Sequence, residues 1–196
     1  MITIIDYKAG NLASVQKAFA HLGCVTEITS DAEVVARASR LVLPGVGNFS
    51  ATSALAESGV RRAIEEAIGH GVPFLGICVG MQWLFAGREE APGVCVLGAF
   101  PGACARFPAG VKAPHVGWNT VRCAAESRLL RGIGSEFFVY YTHSYRAPAG
   151  EGTVGCTEYG GEFAAVIERD TMFGGQFHPE KSAEAGLRLL GNFVQC

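Results

Sequence analysis

The first 85 residues alternate short apolar runs with segments whose apolar residues recur at helical spacing, and this alternation leaves few folds open. ITIID (residues 2–6) reads as a buried strand, and Leu12, Val15, Phe19 and Leu22 follow at helical spacing. VTEIT predicts a second strand. SDAEVVARA predicts a helix opened by Ser30 and Glu33 in capping-box register. RLVLP is a third strand running into the loop PGVGNFS, VRRAIEEAIGHG a helix closed by glycine, PFLGI a fourth strand, and Val79 to Phe85 a further helix. Strands and helices in this order call for a parallel sheet with helices on both faces.

From about Val94 the pattern changes. VCVLGAF, GWNTVRC, FFVYYTHSY, TVGCTEY, EFAAVIERD and TMFGGQF read as short, largely antiparallel strands, and Ala183 to Val194 as a closing helix with Leu187, Leu190 and Val194 on its inner stripe. The expected fold is α/β: an open, mostly parallel sheet flanked by helices, with an antiparallel extension, in a single domain over residues 1–196. A chain of this length buries roughly 70% of its unfolded surface and needs no covalent staples.

Charge and cysteine usage narrow the function. With 17% charged residues and a net charge of −2 there is no basic stripe, so nucleic acid is not an expected partner. The longest apolar window, Gly71 to Gly87, contains Pro73, Gln82 and several glycines, so a strand, turn and helix explain it better than a membrane span. MITIIDYKAG lacks a basic leader, and a cytoplasmic protein is expected. The seven cysteines are odd in number and form no C-x-x-C pair, which argues against a disulfide framework or a zinc knuckle.

One cysteine stands apart. GICVG (Gly76 to Gly80) has the small-x-nucleophile-x-small pattern of a nucleophile elbow. At such a turn Cys78 sits at a helix N-terminus, where partial positive charge favours the thiolate, and the Val79 N–H points at whatever the sulfur attacks. The pentapeptide alone leaves a buried structural thiol open as the other reading. A thiolate nucleophile also needs a base. Among the five histidines only His178, in QFHPE, carries its own acid: Glu180 lies two residues on, and Pro179 keeps His178 extended, so both side chains project to one side. His21 and His70 fall on helix surfaces. LPGVGNF (Leu43 to Phe49), at the carboxyl end of the third strand, has glycines that let a backbone amide face an oxyanion; an ordinary Gly/Pro turn is the alternative.

LPGVG, GICVGMQ and FHPE, in this order, resemble the class I (triad-type) glutamine amidotransferases, and the match covers nearly the whole chain. IDYKAGNL, PHVGWN (Pro114 to Asn119), YYTHSY and FHPEKS are similar to the branch whose ammonia goes to a ring-closing cyclase. The resemblance implies that Cys78 would be the nucleophile, His178 the general base and acid, and Glu180 its orienter. Gly45, Val46 and Gly47 would form the oxyanion strand with Val79. Gln82, Glu90 and backbone groups of His143, Ser144 and Tyr145 would hold L-glutamine. Asn11, Trp118, Tyr140 and Lys181 would face a (β/α)8-barrel cyclase in a heterodimer. No metal or cofactor is implied. By residue type alone, Trp118 and Tyr140 read instead as core and Lys181 as a solvated lysine. Two positions depart from the family pattern: Lys8 stands where glycine is more usual, and AGREEA (Ala86 to Ala91) replaces a commoner acidic, serine-containing stretch. Besides the role of glutaminase subunit in another class I amidotransferase, two other functions are open to such a chain, that of a related cysteine γ-glutamyl hydrolase and that of a catalytically silent docking subunit. The intact Cys78, His178 and Glu180 speak against the second.

Overall fold

The computed structural model describes residues 1–196. In chain order the elements are β1 (Ile2–Ile5), α1 (Leu12–His21), β2 (Thr26–Thr29), α2 (Ala32–Ala36), β3 (Leu41–Gly45), α3 (Ser53–Glu57), α4 (Val60–Gly69), β4 (Phe74–Cys78) and α5 (Val79–Gln82). There follow β5 (Phe85–Arg88), β6 (Phe100–Arg106), β7 (His115–Cys123), β8 (Glu136–His143), β9 (Tyr145–Arg146), β10 (Thr153–Glu158), β11 (Glu162–Arg169), β12 (Met172–Gly175) and α6 (Ala183–Gln195). Nine strands form one sheet in the order β2-β1-β3-β4-β12-β11-β10-β7-β8. The pairs from β2 through β12 are parallel and those from β12 to β8 antiparallel, so the expected parallel sheet with an antiparallel extension is what the chain forms. Strands β5, β6 and β9 make a small second sheet.

The parallel strands are apolar throughout because helices cover both faces. Every residue of β1, β3, β4 and β12 is buried. Helix α4 shows the covering logic: Val60, Ala63, Ile64 and Ala67 face the core at helical spacing, while Arg61–Glu65 and Arg62–Glu66 pair on the outer face. Forty-nine buried residues form one contiguous core.

Four local expectations are corrected. The cap of α2 is Asp31, whose carboxylate accepts the Glu33 N–H at 2.8 Å, rather than Ser30; Asp31 is held in place by the Thr29 hydroxyl, 3.0 Å from its own N–H. The helix after Cys78 stops at Gln82, because Phe85–Arg88 leaves to pair with β6. The strand expected from Val94 begins only at Phe100. On α6 the inward residues are Gly186, Leu189, Leu190 and Phe193, with Leu187 and Val194 only half-buried. The sheet order places β3, β4 and β12 side by side, so the loops leaving their carboxyl ends meet, which is where open α/β sheets bind ligands.

Candidate active site

At the end of β4 the chain turns at Cys78, with φ 54° and ψ −107°, straight into α5. A non-glycine residue in that region costs on the order of 1–3 kcal/mol and persists only where its surroundings dictate it. They do here. A Cβ on Gly76 would strike the Gly80 carbonyl, and one on Gly80 would strike the Leu43 carbonyl of β3, so both flanking glycines are sterically required. The thiol is 3% exposed; Sγ lies 3.9 Å from the Thr142 carbonyl and 3.7 Å from Gln176 Nε2, which donates to it. Since α5 is a single turn, the field at Sγ comes from the local N–H groups rather than a long helix dipole. The Val79 N–H, first in that turn, has no intrahelical acceptor.

Strand β12 runs parallel to β4 with Gly175 opposite Ile77, so the chain emerging from β12 passes beside the thiol. His178 follows with extended φ −99° and ψ 95°, and Pro179–Lys181 forms a 3₁₀ turn. This geometry puts His178 Nδ1 2.9 Å from Glu180 Oε1, both side chains 1% exposed. Because the carboxylate accepts, Nδ1 carries the proton, and Nε2 is left without a well-formed hydrogen bond on the Cys78 side. Burial alone would lower the His178 pKa; interactions with Cys78 and Glu180 outweigh it and raise the pKa above the ordinary range. The backbone is pinned as well. His178 N–H donates to the Tyr140 carbonyl at 3.0 Å, and Ser182 Oγ donates to the His178 carbonyl at 2.6 Å while accepting the Tyr140 N–H at 3.0 Å.

In front of Cys78 opens a pocket of about 470 Å³, of a size suited to a small molecule. Of the expected residues, Gly47, Cys78, Val79, Gln82, Glu90, His143, Ser144 and Tyr145 line it. His178, Glu180, Gly45 and Val46 are not among the residues that line it. Gly45 is instead the Cα partner of Cys78 across the β3–β4 register, wedged so closely against the Tyr7 hydroxyl and Val79 that no side chain fits. Gln82 is more wall than ligand: its Nε2 donates to the Tyr145 carbonyl at 2.8 Å and to Gln176 Oε1 at 3.0 Å. Burial raises the Glu90 pKa, and the Phe49 amide offsets part of that rise. Glu90 and Arg106 bring an acid and a base to one polar cavity, the charge pattern that an α-amino acid zwitterion needs.

Trp118 and Tyr140 are not core. Trp118 is 54% exposed and meets Tyr140 edge-on at 6.1 Å, and Lys181 Nζ lies 5.8 Å over the Tyr140 ring. Val116 and Phe138 widen this uncovered apolar face of β7 and β8. Asn11 stands at the N-cap of α1 but makes no capping bond, which leaves its side chain free; α1 packs against the 3₁₀ turn that carries Lys181.

Sequence reasoning does not single out Arg106, Gln176, Ser182 or the Tyr7 hydroxyl. Gln176 and Ser182 flank FHPEK, so proximity in sequence to His178 is the available signal; Tyr7 and Arg106 reach the site only through the fold.

The glutamine amidotransferase class-I family model matches residues 3–196. The imidazole glycerol phosphate synthase subunit HisH of Methanothermobacter thermautotrophicus is 47% identical over 196 residues, covering 100% of this chain and 98% of that protein. The protein of the same name from Moorella thermoacetica is 49% identical over 195 residues, covering 98% and 93%. Among solved structures, a glutamine amidotransferase superposes with a TM-score of 0.79 at 18% identity over 100% of this chain and 98% of its own. PurLQS from Thermotoga maritima gives 0.76 at 16% identity over 99% and 97%; at such identities these two likenesses speak for the fold alone. With a strained thiol elbow, a buried imidazole–carboxylate pair beside it and full-length relatives nearly half identical, the chain belongs to the class I glutamine amidotransferases.

Proposed function

We propose that the chain is the glutaminase subunit of imidazole glycerol phosphate synthase, hydrolysing L-glutamine and passing the ammonia to a partner cyclase that closes an imidazole ring in histidine biosynthesis. The Cys78 thiol gives its proton to His178 Nε2, and the thiolate attacks the side-chain amide carbon. The Val79 N–H donates to the resulting oxyanion. A second donor comes from the strand Gly45, Val46 and Gly47 once the Gly45–Val46 peptide turns its N–H to the site. His178 then protonates the departing ammonia, leaving a γ-glutamyl thioester on Cys78, and takes a proton from the water that releases glutamate. Glu180 keeps the ring in one tautomer and stabilises the imidazolium. Glu90 takes the α-ammonium group, while Arg106 and the backbone of His143, Ser144 and Tyr145 take the α-carboxylate; Gln82 steadies that wall. Asn11, Trp118, Tyr140 and Lys181 dock a (β/α)8-barrel cyclase, and the heterodimer works in the cytoplasm.

The observation that carries this reading is the adjacency of a strained, buried thiol at the end of β4 and a buried imidazole–carboxylate pair, 2.9 Å apart, beyond the end of β12. Its test is Cys78→Ala in the complex. Glutamine-dependent turnover should vanish while ammonium salts still support ring formation, because only ammonia release needs the thiolate. Loss of both activities in an intact complex would contradict this division of labour.

A further inference from the structure

PHVGWN contributes two residues, the buried His115 and the half-buried Asn119, that the mechanism above does not use. His115 faces His143 across the β7–β8 register, and the two side chains belong to residues only 4% and 6% exposed. The hydrogen bonds between them have a fixed direction. His143 Nδ1 is 2.8 Å from the Tyr145 carbonyl, which can only accept, so Nδ1 carries hydrogen and Nε2 is an acceptor. That acceptor lies 3.0 Å from His115 Nδ1, which must therefore be protonated, and His115 Nε2 in turn accepts from Asn119 Nδ2 at 3.3 Å. Asn119 is locked by the Glu158 carbonyl at 3.2 Å and by the Thr120 N–H, which donates to its Oδ1 at 2.8 Å. The His115 ring is stacked between Tyr159 at 3.9 Å and Tyr141 at 4.7 Å. Burial lowers the pKa of His143 to about 3 and of His115 to about 4, so both rings are neutral near pH 7, as a chain of one polarity requires.

The chain starts at an amide donor and ends at a backbone carbonyl, neither of which exchanges a proton with the rings. It carries no proton; it holds a shape. The Tyr145 carbonyl also accepts from Gln82 Nε2 at 2.8 Å, and the Ser144 carbonyl accepts the Phe107 N–H at 3.3 Å. With both carbonyls occupied inside the protein, the Ser144 N–H has no protein partner and remains as a donor in the pocket wall.

We propose that His115 is a positioning residue: the chain Asn119–His115–His143 fixes the Tyr145 carbonyl and thereby aims the Ser144 amide at the substrate carboxylate. This deepens, and rests on, the reading of the pocket as a glutamine site. Two variants separate hydrogen bonding from stacking. His115→Phe keeps a ring between the tyrosines and removes the donor; His115→Asn loses the stack and places an amide N–H near the Nδ1 position. In the complex with the cyclase, His115→Phe should raise KM for glutamine about tenfold, with kcat and ammonium-supported turnover within about twofold of wild type. His115→Asn should stay within about threefold of the wild-type KM. A wild-type KM in His115→Phe overturns the proposal in favour of stacking, and equal impairment of both variants overturns it because restoring the donor then restores nothing. Nitrogen-15 NMR of the unsubstituted protein tests the chain without any variant: both rings should be Nδ1–H tautomers at pH 7, and an Nε2–H tautomer at either one overturns it. Absence of glutamine hydrolysis by the wild-type complex would sink the functional reading instead, and the tautomers would still decide the chain.

Discussion

Strand β4 and the β7–β8 pair belong to one sheet and were built under opposite constraints. All five residues of β4 are buried, under layers on both faces. The β7–β8 pair is covered on one face only and leaves Val116, Trp118 and Phe138 more than half exposed on the other. A strand covered twice must be apolar whatever it does, so one reactive residue between two sterically required glycines is conspicuous in it. A hairpin covered once can carry aromatics that look like core and are not. Uncovered apolar surface of that kind suits a partner better than water.

The buried end offers the harshest challenge to this contrast. His178→Asn should cut glutamine-dependent kcat by about 10²–10⁴ and leave the ammonium-supported rate unchanged; a loss under about tenfold would remove His178 as the base. At the exposed end, Trp118→Ala should weaken binding of the cyclase by about ten- to a hundredfold, as a truncated interface anchor does. It should leave the melting temperature of the isolated chain in place, and a large drop there would return Trp118 to the core. The smallest effect concerns strain. Lys8 and Cys78 share the left-handed half of backbone space, with φ 65° and 54°. Of the two only Cys78 has a proposed chemical role to set against the strain, so Lys8→Gly should stabilise the chain by about 1 kcal/mol in urea unfolding with turnover unchanged. Destabilisation would mean that the Lys8 side chain holds the turn through contacts of its own.

The elbow and the His178–Glu180 pair are legible in the sequence because their logic is local: glycine spacing, an i, i+2 pair and a proline that keeps the chain extended. The helix after Cys78 is misread, since Leu84 and Phe85 continue an apolar run that serves a buried helix or a buried strand equally well. Ser30 and Asp31 are both good capping residues, and only the Thr29 hydroxyl bonded to the Asp31 N–H separates them. Leu189 and Phe193 displace Leu187 and Val194 on α6 because the sheet, not helical spacing alone, sets which stripe faces inward. Tyr7 and Arg106 meet the site only through the long-range packing that brings the chain after β1 and the end of β6 to it, which no local pattern encodes, whereas Gln176 and Ser182 are marked only by flanking FHPEK. The exposed face of Trp118 and Tyr140 is legible only through resemblance to relatives.

The whole reaction depends on Cys78 being the nucleophile, and the chain offers six other free thiols as internal controls. The most direct measurement is peptide mapping by mass spectrometry after the complex is treated with an electrophilic glutamine analogue. Cys78 alone should carry the adduct, with glutamine protecting it and labelling faster when the cyclase is present. An adduct on another cysteine, or an inactivated complex with Cys78 unmodified, would contradict that role.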